Sequence, residues 1–299
     1  MKSDVLQVGD FVFKWGSRTY VMGILNITPD SFSGDGLLQS PEKGTRLARE
    51  QAQYFLDSGA DIFDVGGEST RPGSQPITAQ EEISRIVPVI RTLRERFPGA
   101  LISMDTSRAE VAEAGFNAGA QILNDVWALR ADPQLASVAA AFGAPVILMH
   151  NRSNPASVEV RARLGNAYIG SEYDDLLEDV KRELLASVEI AVKAGVKETH
   201  LILDPGIGFG KTRDHNLELI NRLDEIRALG YPVLLGASRK SFIGFTLDLP
   251  MDQRIEGTAA TTAVGIARGA DIIRAHDVKE MARVAKMTDA IVRKAGRAV

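Results

Sequence analysis

Short segments of polar, ionisable and glycine residues recur along the 299-residue chain, each directly after an apolar run. In order they are Asn26-Ile-Thr-Pro-Asp-Ser-Phe-Ser-Gly-Asp-Gly36, Gly66-Gly-Glu-Ser-Thr-Arg-Pro-Gly73, Asp105-Thr-Ser107, Asn124-Asp125, His150-Asn-Arg152, Asp204-Pro-Gly-Ile-Gly-Phe-Gly-Lys211, Gly236-Ala-Ser-Arg-Lys-Ser241 and Arg274-Ala-His276. Together they offer carboxylates, amides and cations, the equipment for hydrogen-bonding a polar ligand and holding an anion. Covalent catalysis has no visible apparatus, since there is no cysteine and no Ser-His-Asp constellation is evident. The four histidines, His150, His200, His215 and His276, share no helical metal-ligand spacing, which argues against a histidine-rich zinc or iron site.

The segment Gly206–Thr212 imitates two phosphate-binding motifs and completes neither. Pro205 stands where a Walker A loop needs its first glycine, and Lys211 stands where a dinucleotide fingerprint needs its last. These glycines instead let backbone pass close to a flat ligand, with Phe209 available to stack on it.

The apolar runs before the segments read as strands: Tyr20–Leu25, Asp61–Val65, Leu101–Met104, Gln121–Leu123, Pro145–Met149, His200–Leu203, Pro232–Leu235 and Asp271–Arg274. Amphipathic stretches alternate with them, about Pro41–Ser58, Ala79–Phe97, Arg108–Ala118, Pro133–Phe142, Ser171–Ala194, His215–Leu229, Gln253–Arg268 and Val278–Ala295. Several end in Gly-Ala, where glycine can take the left-handed conformation that stops a helix. Eight strand–helix units require parallel pairing through right-handed crossovers and predict a (β/α)₈ barrel, with an open doubly wound sheet as the alternative. Val5–Tyr20 reads as a short hairpin capping the bottom of the barrel. The polar segments then converge on the C-terminal mouth, where barrel active sites sit.

Bulk properties fit one such domain over residues 1–299, at 44% hydrophobic and 25% charged. A net charge of −4 gives no broad basic field for nucleic acid or an anionic membrane, so an anionic ligand needs locally placed cations. The first residues show no signal-peptide apolar region and no run approaches a membrane span, so a cytoplasmic protein is expected.

The segments resemble those of dihydropteroate synthases, in order and over nearly the whole chain. The resemblance rests on Met22-Gly-Ile-Leu-Asn-Ile-Thr-Pro-Asp-Ser-Phe-Ser33, Asp64-Val-Gly-Gly-Glu-Ser-Thr-Arg-Pro-Gly73, Met104-Asp-Thr-Ser107, Asn124-Asp125, Leu203-Asp-Pro-Gly206, Ser238-Arg-Lys-Ser241 and Arg274-Ala-His276. One departure is visible: Ser31-Phe-Ser-Gly-Asp-Gly36 transposes the family's usual Ser-Phe-Ser-Asp-Gly-Gly.

The resemblance implies displacement of pyrophosphate from 6-hydroxymethyl-7,8-dihydropterin diphosphate by the amine of 4-aminobenzoate. It puts the pterin on Asp105, Asn124, Met149, Asp204, Phe209, Gly236 and Lys240. It puts the diphosphate on Asn26, Arg71, Arg274 and His276, with Mg²⁺ held through Asn26 and a homodimer as the assembly. Asp105, Lys240 and Arg274 are the implied catalytic residues. For 4-aminobenzoate the expected contacts are Phe32, Thr70, Pro72 and Ser241. The first two polar segments, rich in Pro and Gly, are expected to be loops that order when pyrophosphate and metal bind. Two other readings stay open: a pterin-binding paralogue without turnover, and a barrel like the methyltetrahydrofolate–corrinoid methyltransferases, which has no use for a diphosphate grip.

Overall fold

A computed structural model describes residues 2–28, 41–70, 73–154, 156–161 and 163–293. Strands β1 (Val5–Val8) and β2 (Phe11–Lys14) form an antiparallel hairpin, followed by β3 (Tyr20–Asn26), α1 (Pro41–Asp57), β4 (Ile62–Gly66) and α2 (Ala79–Arg96). Next come β5 (Leu101–Asp105), α3 (Ala109–Ala118), β6 (Ile122–Asp125), α4 (Leu135–Ala141) and β7 (Val146–Met149). The fifth connection carries a hairpin, β8 (Val158–Arg161) and β9 (Gly165–Tyr168), ahead of α5 (Leu176–Lys193) and β10 (Leu201–Asp204). The chain ends with α6 (Arg213–Asn221), α7 (Leu223–Arg227), β11 (Leu234–Leu235), α8 (Ser241–Leu247), α9 (Ile255–Ala267), β12 (Ile272–Ala275) and α10 (Val278–Val292).

Eight strands pair in parallel in the order β10-β7-β6-β5-β4-β3-β12-β11. A parallel bridge between Leu203 and Val233 brings the two ends of that sheet together, with Leu203 N–H donating to the Pro232 carbonyl at 2.9 Å. This is the expected TIM barrel. Among the described residues no helix is long and apolar enough to cross a membrane.

Local chemistry sets the helix ends. Thr78 caps α2 by accepting from Glu81 N–H, and Asp175 caps α5 by accepting from Glu178 N–H. Gly119, at φ +113°, ends α3. The predicted helix His215–Leu229 is two, broken at Arg222, which lets Leu219 and Ile220 before the break and Leu223 and Ile226 after it all reach the core. The β8–β9 hairpin was not expected, and the seventh connection holds a short helix of its own, α8, starting at Ser241, ahead of α9.

Two apolar layers result. Outside the sheet, strand residues such as Val21, Phe63 and Ile102 pack against the helices. The contact is close enough that a Cβ on Gly23 would strike the Phe55 ring. Inside, Met22, Ile62, Leu101, Ile122, Ile147, Ile202, Leu234 and Ile272 fill the lower barrel, and Leu6, Val8, Phe13 and Trp15 of the hairpin plug it from below. Side chains alternate along a strand. The residues two steps beyond this inner layer therefore also face inward: Ile24, Asp64, Ser103, Asn124, Met149, Asp204, Gly236 and Arg274. Asn26 and Asp105 lie one further layer up.

Candidate active site

The inward face changes from apolar to ionic in one layer. Arg274 donates from Nε to Asp64 Oδ2 at 2.5 Å and from Nη2 to Asp105 Oδ2 at 2.8 Å. Asn124 Nδ2 donates to the same Asp64 oxygen at 3.1 Å. One guanidinium thus lies between two carboxylates, a planar fork suited to such pairing. Burial pushes the Asp105 carboxyl up to about 7, against the pull of Arg274 and with help from Asp64.

Across the mouth, Asp204 ends β10 and accepts the Gly206 N–H on Oδ1 at 2.7 Å. Burial raises its pKa, with Lys240 the largest opposing influence. A Cβ added at Gly236 would sit 3.8 Å from Asp204 Oδ2 and 3.9 Å from Lys240 Nζ, which puts this glycine beside both groups. Lys240 follows Arg239, a non-glycine residue at φ +56° held by its Nε bond to Asp277 at 2.8 Å. The turn sends the Lys240 amine over the Phe209 ring, 4.7 Å from its centroid, and onto the Ile207 carbonyl. Burial lowers the amine to about 8, although Asp204 favours its charge.

The loop after β10 is fastened from beneath. Gly206 runs at φ +70°, and a side chain there would collide with the His150 carbonyl oxygen. Buried Lys211 points its amine at His150 Nδ1 (2.9 Å), the Gly206 carbonyl (3.0 Å) and the Phe209 carbonyl (3.1 Å). His150 Nε2 meets Glu183 Oε2 at 3.1 Å, and Arg152 binds the same carboxylate. Burial drives Lys211 down to about 7 and His150 to about 4, the Lys211 charge adding to the latter.

The β8–β9 hairpin stands over this loop. Tyr168 donates its hydroxyl to the Thr70 carbonyl at 3.0 Å, and its ring lies 6.0 Å from that of Phe209. Arg254 anchors the hairpin tip through the Leu164 carbonyl at 2.6 Å. A pocket of about 230 Å³ opens between the hairpin and the start of α8, lined in part by Tyr168, Gly208, Lys211, Ser241 and Phe242.

Of the expected site residues, the structure brings Asp105, Asn124 and Arg274 together through Asp64, and sets Asp204, Gly236, Lys240 and Phe209 beside one another at the same end of the barrel. Met149 pairs in register with Asp204 and is buried beside it. Asn26 ends β3 on the inward face, half-buried. His276 turns toward Ser238, its backbone N–H 3.2 Å and its Nδ1 3.1 Å from that hydroxyl. Thr70 and Ser241 flank the hairpin. Phe32, Arg71, Pro72 and the transposed Gly34-Asp35 lie outside the described residues, so the expectation of ordering loops falls there too.

Comparison with known proteins gives this arrangement its kin. The family described as pterin binding enzyme matches residues 22–276. A dihydropteroate synthase of Clostridium beijerinckii is 48% identical over 290 residues, 97% of this chain and 100% of the relative. The chain belongs to the dihydropteroate synthase family. Its fold follows that of a Clostridium difficile dihydropteroate synthase solved in the presence of pteroic acid, with TM-score 0.85, 45% identity, and coverage of 94% of this chain and 100% of that one. A Xanthomonas albilineans dihydropteroate synthase solved with 4-aminobenzoic acid gives TM-score 0.85 at 35% identity, covering 97% and 98%.

Three features of this dihydropteroate synthase family member escape a reading of its strand-end segments. Asp64 is one, although a lone carboxylate in the apolar run Ile62–Val65, in phase with Ile62, was the available signal. The link from Lys211 through His150 to Glu183 is a second: the first two stand in strand-end segments, but only the fold joins them to each other and to Glu183. Tyr168 is the third, carried in by the unexpected hairpin.

Proposed function

We propose that the chain condenses 6-hydroxymethyl-7,8-dihydropterin diphosphate with 4-aminobenzoate, releasing pyrophosphate and 7,8-dihydropteroate for folate biosynthesis. The observation that carries the residue-level reading is the ionic layer at the end of the barrel strands, where Asp204 lies against Lys240 and Asn124 is joined through Asp64 to the Arg274–Asp105 pair.

In this reading the Asp204 carboxylate accepts the two parallel N–H donors of the pterin's guanidine-like edge. Asn124, donor and acceptor at once, meets the ring-nitrogen edge, and Lys240 donates to the ring carbonyl. Met149, Phe209 and Gly236 shape the slot for the flat ring. Loss of pyrophosphate leaves positive charge delocalised over the electron-rich dihydropterin, and Asp105 offsets it. Arg274, with Arg71 and His276, takes the negative charge of the departing group. The aniline nitrogen is uncharged at neutral pH, so it needs placement more than a base. Phe32, Thr70, Pro72 and Ser241 provide that placement near the mouth.

Mg²⁺ completes the proposal. Asn26 offers one hard amide oxygen on the inward face, and among the described residues no group of three His, Asp or Glu stands ready to enclose a cation. Such a donor set fits an ion whose remaining ligands are diphosphate and water oxygens. When bound, the ion neutralises charge on the diphosphate. We also propose a single pterin-binding domain over residues 1–299, a homodimer and a cytoplasmic location, in keeping with the family.

The test is pyrophosphate release with both substrates supplied. Release that depends on 4-aminobenzoate supports the reading. Pterin binding without any 4-aminobenzoate-dependent product would favour the paralogue without turnover.

A further inference from the structure

Asp64 lies inside β4, 0% exposed, in a stretch whose neighbours Ile62, Phe63 and Val65 are apolar. Packing alone gives no reason for a carboxylate there, and burying one is costly unless its partners are good. Its Oδ2 has two partners, Arg274 Nε at 2.5 Å and Asn124 Nδ2 at 3.1 Å. Its Oδ1 is buried with no hydrogen-bond partner. Among the described residues Asp64 thus bonds both a member of the proposed diphosphate grip and a member of the proposed pterin grip, through one shared oxygen.

We propose that Asp64 is a positioning residue that couples the two grips. Its carboxylate holds the Arg274 guanidinium by Nε while Asp105 takes Nη2, which leaves Nη1 for the leaving diphosphate. The same oxygen takes one hydrogen of the Asn124 amide and fixes that group, leaving its oxygen and its second N–H for the ligand. A ligand that orders Arg274 orders Asp64, and through it Asn124. The second ligand then meets a group already held in place. Coupling of this kind is reciprocal, so a pterin must strengthen pyrophosphate binding by the same factor. The inference rests on the proposed function, because that reading puts pterin on Asn124 and diphosphate on Arg274.

Calorimetric titration tests it, with 6-hydroxymethylpterin added to the full chain with and without inorganic pyrophosphate, magnesium chloride being present throughout. The expected result is that pyrophosphate tightens pterin binding about tenfold, and that Asp64→Asn brings this factor close to one while each ligand still binds alone. A variant that keeps the wild-type factor overturns the inference. A wild-type protein that binds both ligands without coupling overturns the inference and leaves the functional reading standing; one that binds neither sinks both. Should Asp64→Asn fail to fold, Asn124→Ser and Arg274→Lys form a cycle that reads the same link. Their combined loss in kcat/KM should fall short of the product of the single losses by about tenfold, and multiplicative losses would overturn the role of Asp64.

Discussion

Lys211 Nζ lies 2.9 Å from His150 Nδ1. A buried amine capped by a histidine and two carbonyls acts as a rivet under the loop that carries Phe209 and the Ile207 carbonyl. Lys211→Met keeps the stem and takes the lysine donor from the His150 nitrogen and the Phe209 carbonyl, while the Gly206 carbonyl keeps the Phe209 N–H. Thermal denaturation should show a loss of about 1–3 kcal/mol, partly offset because a buried charge has gone. A variant as stable as the parent would remove the rivet from this account.

The same pair gives acid sensitivity with a defined sign. His150 is held at about 4, below its ordinary 6.5, by burial and then by the Lys211 charge. As pH falls below about 6.5 the unfolded chain takes up a proton that the folded chain refuses until about 4, so folding stability drains away through that window. The loss is on the order of 3 kcal/mol. Glu183, held at about 2 by its bond to His150 and then by Arg152, stays ionised throughout it. Melting temperature followed from pH 7 to pH 4 should fall more steeply in the parent than in His150→Gln; parallel curves would contradict the assignment.

Two substitutions separate the halves of the ionic layer. Asp204→Asn exchanges an acceptor for a donor and should weaken pterin affinity by about 1.5–3 kcal/mol, roughly 10- to 150-fold. Arg274→Ala should leave binding of an unphosphorylated pterin far less disturbed while damaging turnover of the diphosphate. Calorimetry and steady-state kinetics on the two variants check this, and the opposite pattern would reverse the assignments.

Turnover should depend on pH on both sides of neutrality. In the proposed role Asp105 must be ionised to offset positive charge, and burial raises its pKa above the ordinary carboxylate range, so activity should fall on the acid side of neutrality. Lys240 must be protonated to donate, so activity also falls as pH rises through about 8. The profile of kcat/KM for the pterin diphosphate is therefore a narrow bell. Lys240→Arg keeps its charge, and its profile should lose the alkaline limb even if its maximum is lower. An unchanged limb would point to another group.

Tyr168→Phe removes only the hydroxyl that bonds the Thr70 carbonyl. One hydrogen bond of about 1 kcal/mol should raise KM for 4-aminobenzoate roughly fivefold, with pterin affinity untouched. Equal effects on both substrates would mean that the hairpin supports the whole mouth rather than its outer part.

The barrel and most of the floor were legible in the sequence because strand ends announce themselves: an apolar run stops and a carboxylate, amide or cation follows. Asp105, Asn124, Asp204 and Arg274 all stand at that junction. Asp64 does not, since it sits two residues before its strand ends, where only the alternation of faces reveals it. The β8–β9 hairpin was missed for a different reason. Its strands are four residues each and mostly exposed, and they lie within a connection where the barrel pattern calls for a single passage to the next helix. The break at Arg222 likewise leaves no mark in the apolar spacing, because buried residues continue on both sides of it.

The plug of Leu6, Val8, Phe13 and Trp15 makes the barrel a vessel with one opening. Whatever occupies the ionic floor must enter and depart by the rim, past anything seated above it. With the substrates seated as proposed, traffic would be last in, first out: the flat ring enters before the arylamine. A compound lodged between Tyr168 and Ser241 acts as a cork, delaying the escape of what lies beneath without touching it.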